Sequence, residues 1–462
     1  MSKASLFLFA TALAGGLCAR GVECQLEFKR LTPEEARSCP GGYGAHGQIE
    51  FPKPNELKKE PPATSSQPLY GRFYGEDMRL VFRLDESKGT GKGYDRLLLD
   101  LNHNGDLSDD PVVSRDEGAP MSSSSSQERA FFGPSELGGV SAGAWHPIIC
   151  GELSLYNKQQ IGRTTGGGSI YLGSMRIFAG WYLEATVDLD GIKQKIGIRD
   201  GDCNLKLGDR ARASKVFRRA GDEGSWYLSG RDYVLQNRDE SGKSGAWRAS
   251  QMLSKWFYVG GKPYLLALSD DLKVLQLEPY SGPTGELSVK AGIDNLVLGK
   301  QTTAEEWEAL TPEIRDAKAV LPPGNYRVAS CGLSKKAADG SVYQLASSEA
   351  GDTITKVEAA KTATLKCGLP LDIQVTAQKT TARNEGERSM MGLARGLFRS
   401  VGLGEPIVLQ MNVSLVGAGG EVYSSYMKTP ANGRASDRLA PPWFRAFDLA
   451  GKQIASGSFE FG

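Results

Sequence analysis

The hydrophobic pattern of this chain has a period of two along most of its length, which is the period of β-strands. From about Gln48 onward, runs of β-branched, aromatic and leucine residues are broken by Gly, Asp, Asn and Ser at hairpin spacing. Examples are LYGRFYGEDMRLVFRL (69–84), SIYLGSMRIFAGWYLEATVDL (169–189) and KWFYVGGKPYLLALS (255–269). The pattern predicts an all-β protein with few short helices. A β-rich N-terminal region of repeated strand–acidic-loop units precedes a C-terminal Ig-like β-sandwich.

Three segments carry helical signals. LTPEEARS (31–38) has a Thr cap followed by Pro and Glu, which predicts a short helix. TTAEEWEALTPEIRDAKAV (302–320) is the strongest helical stretch, and it separates two β-rich parts of the chain. ERSMMGLARGLFRSVGL (387–403) has apolar residues at helical spacing. We predict that it packs on its own domain, with a membrane-surface or partner helix as the alternative.

These patterns divide the chain into four predicted parts. They are a signal peptide at 1–21, a β-rich domain with acidic loops at 22–300, a helical linker at 301–320 and a β-sandwich domain at 321–462. The β-rich domain is long enough to form two sub-domains, about 43–145 and 146–300.

The N-terminus has the composition of a secretory signal peptide. Lys3 supplies a positive charge, and Ala4–Leu17 form an apolar stretch too short to span a membrane. We therefore expect an exported protein, located in the periplasm, at the cell surface or outside the cell. The alternative is a buried first helix. A lipoprotein anchor does not fit, because Leu17 precedes Cys18 where a small residue is expected.

The cysteine count agrees with export. Cleavage after Ala19 leaves six cysteines, an even number that suits an oxidising compartment. Cys331 and Cys367 both lie in strand-like runs late in the chain, and we predict that they form a disulfide. Proximity in sequence suggests two further pairs: Cys24 with Cys39, and Cys150 with Cys203. Free buried thiols are the alternative, because sequence alone does not fix connectivity.

Composition narrows the partners. The chain has 462 residues, with 55 Lys and Arg against 54 Asp and Glu, and a formal net charge of +1. No long basic block stands out, so a nucleic-acid partner is not indicated. Beyond the N-terminus there is no apolar stretch long enough for a transmembrane segment. The 57 glycines agree with many tight turns.

The loop DLNHNGDLSDD (100–110) is the best candidate for a functional site. Calcium takes six to eight oxygen ligands, which a loop supplies when every second residue carries a short oxygen side chain and a glycine permits a sharp turn. Gly105 takes the glycine position here, and Leu107 anchors the loop to the core. The predicted ligands are the side chains of Asp100, Asn102 and Asn104, the backbone carbonyl of Asp106, and either Asp109 or Asp110 as the closing acid. The alternative is a polar turn without metal.

This loop resembles the calcium loops of the EF-hand and dockerin type. It differs at the twelfth position, where Pro111 replaces the usual acid, and its flanks are strand-like rather than helical. The resemblance therefore implies a structural calcium site rather than a calcium sensor.

A broader resemblance covers most of the chain. The segments KPNELKKEPP, LYGRFYGEDMRL and YDRLLLDLNHNGDLSDDP, between Lys53 and Asp110, resemble large uncharacterised secreted proteins of planctomycete-like bacteria. GGEVYSS and GKQIASGSFEFG, near the end of the chain, resemble them too. The resemblance implies export and a recurring acidic loop, and it assigns no activity.

The loop spacing recurs twice. In GIRDGDCNLKLGD (197–209) the matching residues are Asp200, Asp202, Asn204, Leu207 and Asp209. In GRDYVLQNRDESGK (230–243), Asp232 matches Asp95, and the loop matches are Asn237, Asp239, Ser241 and Gly242. The second copy lacks the glycine and the third lacks the later acid. By the number of required oxygens that remain, we rank the first loop above the second and the second above the third as a calcium site.

Catalytic motifs are absent from the sequence. There is no HExxH or GxSxG motif, and the three histidines, His46, His103 and His146, lack metal-ligand spacing. We expect His103 to be exposed. A glycosidase needs only an Asp/Glu pair, so a carbohydrate-active enzyme or carbohydrate-binding protein is the alternative. Its sugar-stacking candidates are Trp145, Trp181, Tyr182, Trp226, Trp247 and Trp256.

The sequence thus predicts an exported, non-enzymatic β-protein with a structural calcium-binding loop. Its role is expected to be that of a surface or periplasmic binding or scaffold protein, with a protein or a polysaccharide as partner.

Overall fold

The protein is described by a computed structural model, and its architecture is almost entirely β. The structure describes residues 21–39, 44–50, 53–73, 80–89, 93–117, 122–123, 127–138, 141–156, 173–216, 225–229, 232–237, 249–303, 306–349, 351, 353–380, 408–431, 443–447 and 452–458. The predicted all-β class with few short helices is confirmed. Within the described residues, no helix has the length and apolar character that a membrane span requires. The predicted signal peptide and the predicted helix at 387–403 lie outside the described residues, apart from Gly21.

The strands of the first half are β1 Val22–Gln25, β2 Glu27–Arg30, β3 Ala45–Glu50, β4 Leu69–Phe73, β5 Val81–Asp85, β6 Arg96–Leu99, β7 Val112–Ser114, β8 Ser122–Ser123, β9 Gln127–Glu136, β10 Ile148–Tyr156, β11 Gly173–Ala179, β12 Trp181–Leu189, β13 Ile192–Arg199, β14 Arg212–Val216, β15 Ser225–Ser229 and β16 Tyr233–Asn237.

The strands of the second half are β17 Ala249–Met252, β18 Trp256–Val259, β19 Lys262–Leu268, β20 Val274–Pro279, β21 Gly285–Ser288, β22 Ile293–Gln301, β23 Trp307–Leu310, β24 Lys318–Leu321, β25 Gly324–Lys336, β26 Val342–Glu349, β27 Thr355–Val357, β28 Thr362–Thr364, β29 Asp372–Thr380, β30 Val408–Val416, β31 Val422–Thr429, β32 Trp443–Phe447 and β33 Gln453–Ser458.

Among the described residues, a short helix, α1 (Pro33–Ser38), follows β2. Thr32 caps it, because its Oγ1 accepts a hydrogen bond from the Glu35 N–H at 3.2 Å. The Glu35 carboxylate in turn accepts from the Thr32 N–H at 2.9 Å, so the two residues form a capping box. The short helix predicted from LTPEEARS is confirmed.

The first large sheet has nine strands in the order β7-β6-β5-β4-β3-β11-β10-β9-β8. Alternate residues of these strands face a core that includes Phe73, Phe82, Leu97 and Phe132. Period-two alternation places these side chains on one side of the sheet, as the sequence pattern requires.

Two further sheets share a second core. A five-stranded sheet runs β17-β16-β13-β12-β2, and a four-stranded sheet runs β1-β20-β19-β18. Trp181 and Ile198 from the five-stranded sheet pack with Phe257 and Leu275 from the four-stranded sheet. The pairing of β1 with β20 joins the start of the described chain to a hairpin about halfway along it.

The largest sheet has ten strands, along the path β15-β14-β23-β22-β25-β26-β31-β30-β29 with β27 beside β25. It contains strands from both sides of the predicted linker at 301–320, so it joins the two predicted β-rich parts. The helical prediction for that linker is wrong, since the segment contributes β23 and most of β24. Trp307 and Leu310 are buried in the pairing of β23 with β22 and β14, and this tertiary burial outweighs local helix propensity.

The predicted disulfides are not formed in this structure, where Cys24, Cys39, Cys150, Cys203, Cys331 and Cys367 are all free thiols. For Cys24 and Cys39, the predicted pairing fails because the two residues lie in different clusters. Cys24 packs with the core around Trp181, whereas Cys39 packs beside Cys150 in a small cluster under α1. Cys331 and Cys367 are both buried in the core of the ten-stranded sheet. Burial raises the pKa of Cys150 to about 12, which keeps it a thiol at neutral pH.

Candidate metal centre

The first acidic loop, residues 100–110, connects β6 to β7 at one edge of the nine-stranded sheet. Its strand flanks are as predicted. Leu107 is 1% exposed and packs with Leu57 and Leu98, so it anchors the loop to the protein as expected. His103 lies at the exposed tip of the loop, also as expected.

Side-chain oxygens of this loop accept hydrogen bonds from its own backbone N–H groups. Oδ2 of Asp100 accepts from the Gly105 N–H at 3.1 Å, and Oδ1 of Asn102 accepts from the Asn104 N–H at 3.0 Å. Oδ1 of Asn104 accepts from the Asp106 N–H at 2.6 Å. His103 and Gly105 have φ of 57° and 77°, in the left-handed region. A Cβ at Gly105 would lie 2.4 Å from the Glu56 carbonyl oxygen, so glycine is required there.

The two candidate closing acids, Asp109 and Asp110, accept hydrogen bonds from different groups. Asp109 holds the amides, because its Oδ2 accepts from Nδ2 of Asn104 at 2.9 Å and from Nδ2 of Asn102 at 3.4 Å. Oδ1 of Asp110 accepts from the Leu101 N–H at 3.2 Å. The Asp106 side chain faces Lys59 instead, at 2.7 Å, which leaves its backbone carbonyl as the predicted ligand.

Two carboxylate oxygens of this loop are buried without a hydrogen bond: Oδ1 of Asp100 and Oδ2 of Asp110. A buried oxygen without a donor is costly unless something positive meets it. Burial raises the pKa of Asp110 to about 6, and the negative charges of Asp100 and Asp109 act in the same direction. The ion pair with Lys59 lowers the pKa of Asp106 to about 2.

The second acidic loop, residues 200–209, repeats this hydrogen-bond skeleton one hundred residues later. Oδ2 of Asp200 accepts from the Leu205 N–H at 3.0 Å, as Asp100 accepts from Gly105. Oδ1 of Asp202 accepts from the Asn204 N–H at 3.3 Å. Nδ2 of Asn204 donates to Oδ2 of Asp209 at 2.8 Å, which matches the contact between Asn104 and Asp109. The repeat detected in the sequence is therefore a repeat in three dimensions.

The backbone of the second loop also matches the first, although it lacks the glycine. Cys203 and Leu205 have φ of 58° and 68°, at the positions of His103 and Gly105. The left-handed conformation costs about 1–2 kcal/mol for such residues. Both side chains are buried in the core of the nine-stranded sheet, and this burial offsets the cost.

A residue from outside the second loop, Asp232, forms hydrogen bonds with its backbone. Asp232, just before β16, is fully buried, and its Oδ2 accepts from the Gly208 and Asp209 N–H groups at 2.7 and 2.8 Å. Asp200, Asp202 and Asp232 each place one ligand oxygen within 4.8 Å of the other two, so this triad can hold a metal ion. Oδ1 of Asp200 and Oδ1 of Asp232 are buried and accept no hydrogen bond. We call these three residues the buried triad.

The electrostatics of the buried triad favour a cation. Burial raises the pKa of Asp200 well above its usual range, and the negative charge of Asp202 adds to the effect. Burial likewise raises the pKa of Asp232, with the charge of Asp200 as the next cause. Without a cation, ionised carboxylates are unfavourable here; a divalent ion removes that penalty.

Stability without metal should consequently fall as the pH rises. A carboxyl whose folded pKa is raised stabilises the fold while protonated, and that contribution is lost as the pH passes its folded pKa, about 6 for Asp110. Asp200 and Asp232 act in the same direction. The contribution of Asp106, whose pKa is about 2, stays constant above about pH 5. We expect the chelated protein to have a higher melting temperature at about pH 5 than at about pH 7.5. Thermal melts in chelator across this range measure it, and a melting temperature that rises with pH would contradict it.

Arg199, the last residue of β13, fixes the start of the second loop. Its guanidinium is fully buried and donates to three backbone carbonyls. The acceptors are Ala36 O at 2.5 Å, Cys39 O at 2.9 Å and Ala179 O at 3.1 Å. Arg199 thereby joins the C-terminus of α1 and the end of β11 to the residue that precedes Asp200.

The third predicted loop is only partly described. Asn237 ends β16, whereas Asp239, Ser241 and Gly242 lie outside the described residues. Asp232 does not play the part of Asp95, its match in the sequence. Asp95 accepts from the N–H and hydroxyl of Ser87, at 2.7 and 2.5 Å, whereas Asp232 closes the second loop. The spacing within each repeat does not predict the contact of Asp232 with the second loop, because Asp232 belongs to the third repeat in the sequence.

The side chains proposed for the carbohydrate alternative are mostly interior where they are described. Trp181 and Trp256 are 1% and 5% exposed, and the half-buried Trp145 stacks on Phe28 with ring centroids 5.6 Å apart. No side-chain position is described for Trp226 or Trp247.

Comparison with known proteins adds no family to this picture. No protein-family model, no curated protein and no solved structure matches the chain. The site therefore has to be interpreted from its own geometry.

Proposed function

We propose that this chain is an exported, non-enzymatic all-β protein that binds calcium as a structural ion in its acidic loops. In this role calcium stabilises the loops of a surface or periplasmic binding or scaffold protein, whose partner is a protein or a polysaccharide. The observation that carries the proposal is the pair of loops with one hydrogen-bond skeleton, each leaving buried carboxylate oxygens without a donor.

The donor set supports calcium over other cations. The ligands available in both loops are carboxylate, amide and backbone oxygens, which are hard donors that suit calcium and magnesium. The loops are irregular in backbone conformation, and their oxygens come from side chains and backbone carbonyls of several residues. Calcium tolerates such a shell, whereas magnesium requires near-octahedral geometry and keeps most of its water.

Binding of calcium to the metal-free protein tests the proposal. We expect calcium to bind in the micromolar to millimolar range, with magnesium at least about tenfold weaker. Isothermal titration calorimetry with each ion, on protein first stripped with chelator, measures both affinities. A matched control is the double variant Asp100→Asn and Asp200→Asn, which removes one carboxylate from each loop while keeping its shape. Equal, weak heats for the wild type and this variant would refute calcium binding at the loops.

A further inference from the structure

We infer that the buried triad is a two-segment cation site, tighter than the first loop, which fastens three β-sheets at one point. This inference rests on the proposed calcium binding and specifies which loop binds more tightly and what the ion holds. It has three supports: the charge and burial of the triad, the position of the second loop between the sheets, and a cavity beside it.

Charge and burial favour the second loop as the tighter site. The two loops differ at their third position, where Asp202 carries a charge and Asn102 does not. Asp232 adds a carboxylate from outside the loop, with an oxygen that is buried and lacks a donor. Each added charge in a poorly hydrated site strengthens the attraction for a cation. Burial of Cys203 and Leu205 in the neighbouring core also holds the second loop in its binding conformation before the ion arrives.

The second loop lies where the chain passes from one sheet to another. It begins after β13 of the five-stranded sheet and ends before β14 of the ten-stranded sheet. The Gly44 N–H, next to β3 of the nine-stranded sheet, donates to Gly201 O at 3.0 Å. An ion held by Asp200 and Asp232 therefore ties this crossing to the start of β16. By contrast, the first loop joins two neighbouring strands of one sheet.

Two backbone contacts extend this junction into the ten-stranded sheet. The Ala211 N–H donates to Leu253 O at 2.8 Å, and the Ala309 N–H donates to Ala211 O at 3.0 Å. Leu253 itself donates to Asp232 O at 2.8 Å, so the residue that follows β17 contacts both the metal site and the crossing. Displacement of the second loop would disturb each of these contacts.

A cavity gives the second loop room to move. It has a volume of about 310 Å³ and is lined by Leu207, Gly208, Leu253, Leu266 and Leu272, among others. Gly208 has a φ of 108° and is held by the Asp232 carboxylate. When no cation is bound, the buried Oδ1 atoms of Asp200 and Asp232 lack a partner, which favours movement of the loop toward this space.

A reciprocal pair of substitutions tests which loop is tighter. In the wild type, calorimetric titration with calcium should resolve two classes of site that differ by at least about tenfold in affinity. Asp202→Asn gives the second loop the residue found in the first, and it should weaken the tight class about tenfold while leaving the weak class unchanged. Asn102→Asp should strengthen the weak class instead. If Asp202→Asn changes the weak class and spares the tight one, the assignment is overturned.

Hydrogen exchange tests the fastening. With calcium, the amides of Gly208, Asp209 and Ala211 should exchange at least about tenfold more slowly than in chelator, because opening of the second loop must then displace the ion. Amides of the first loop should change less. Asp232→Asn should remove the effect on Gly208 and Asp209 while calcium still binds at the first loop. Should Asp232→Asn not fold, the wild-type comparison of calcium with chelator gives the same decision.

The outcomes separate the two levels of the proposal. If the wild type binds no calcium, the proposed function fails and the inference fails with it. If calcium binds in two classes but the amides around Ala211 exchange equally fast with and without it, calcium binding stands and the fastening of the sheets is refuted.

Discussion

Removal of calcium should lower the melting temperature of the protein by about 3 °C for each occupied site at neutral pH. At a calcium concentration about 100-fold above the dissociation constant, one site stabilises the folded state by about 2.7 kcal/mol. The entropy of unfolding is about 2.1 cal/mol/K per residue, so for 462 residues one kcal/mol corresponds to about 1 °C, which gives the stated shift. Thermal melts of the protein in excess calcium and in chelator measure it directly.

The buried triad gives this prediction a sharper form. Asp200→Asn removes a buried carboxyl group that lacks a partner for Oδ1 when no ion is present, so the variant should melt at a higher temperature than the wild type in chelator. In calcium the same variant should melt at a lower temperature than the wild type, because it has lost a ligand. A surface change such as Asp316→Asn, in an exposed turn, is a suitable control that should affect neither melt. Identical wild-type melts in calcium and in chelator would rule out a structural ion.

The second large effect is expected from Arg199→Met. The substitution keeps much of the side-chain volume but removes the donors to the carbonyls of Ala36, Cys39 and Ala179. Buried carbonyls left without donors cost about 1–3 kcal/mol each before relaxation, so we expect the free energy of unfolding to fall by about 3–5 kcal/mol. Chemical denaturation in saturating calcium measures the change.

Arg199→Lys separates charge from geometry. Lysine keeps the positive charge, but its single ammonium group cannot reach three carbonyls in the way a planar guanidinium does. We expect it to recover less than half of the stability that Arg199→Met loses. Full recovery would mean that charge alone matters at this position, and a loss below about 1 kcal/mol for Arg199→Met would mean that the clamp contributes little.

The sequence was sufficient to predict the fold class, because alternation of apolar and polar residues with a period of two is visible in the sequence itself. Alternating residues of β12, from Trp181 to Leu189, are buried in the structure as they alternate in the sequence. It was insufficient for the segment 302–320. EEWEAL has good helix formers, but the buried faces of Trp307 and Leu310 and their partners in β22 decide the outcome. Those partners are remote, so local propensity could not reveal them.

The acidic loops show a similar division between local and remote information. The spacing of Asp, Asn and Gly predicts a strand-flanked loop at 100–110 and a copy of it at 200–209. The copy lacks the glycine of the first loop. Leu205 nevertheless takes the left-handed conformation, because a core that it enters compensates the strain. Asp232 accepts a hydrogen bond from the Asp209 N–H, although it lies 23 positions further along the chain. The spacing of residues within the loop does not predict this contact.

The pairing of β1 with β20 has a consequence for how the chain folds. Cys24 and Leu275 are partners although 251 positions separate them. Contacts between residues so distant in sequence require closure of a long loop, which costs chain entropy and slows folding. A chain that emerges N-terminus first therefore cannot complete the four-stranded sheet until Pro279 has emerged. Until then, the edge of β1 is an unpaired strand that needs protection from association with other chains.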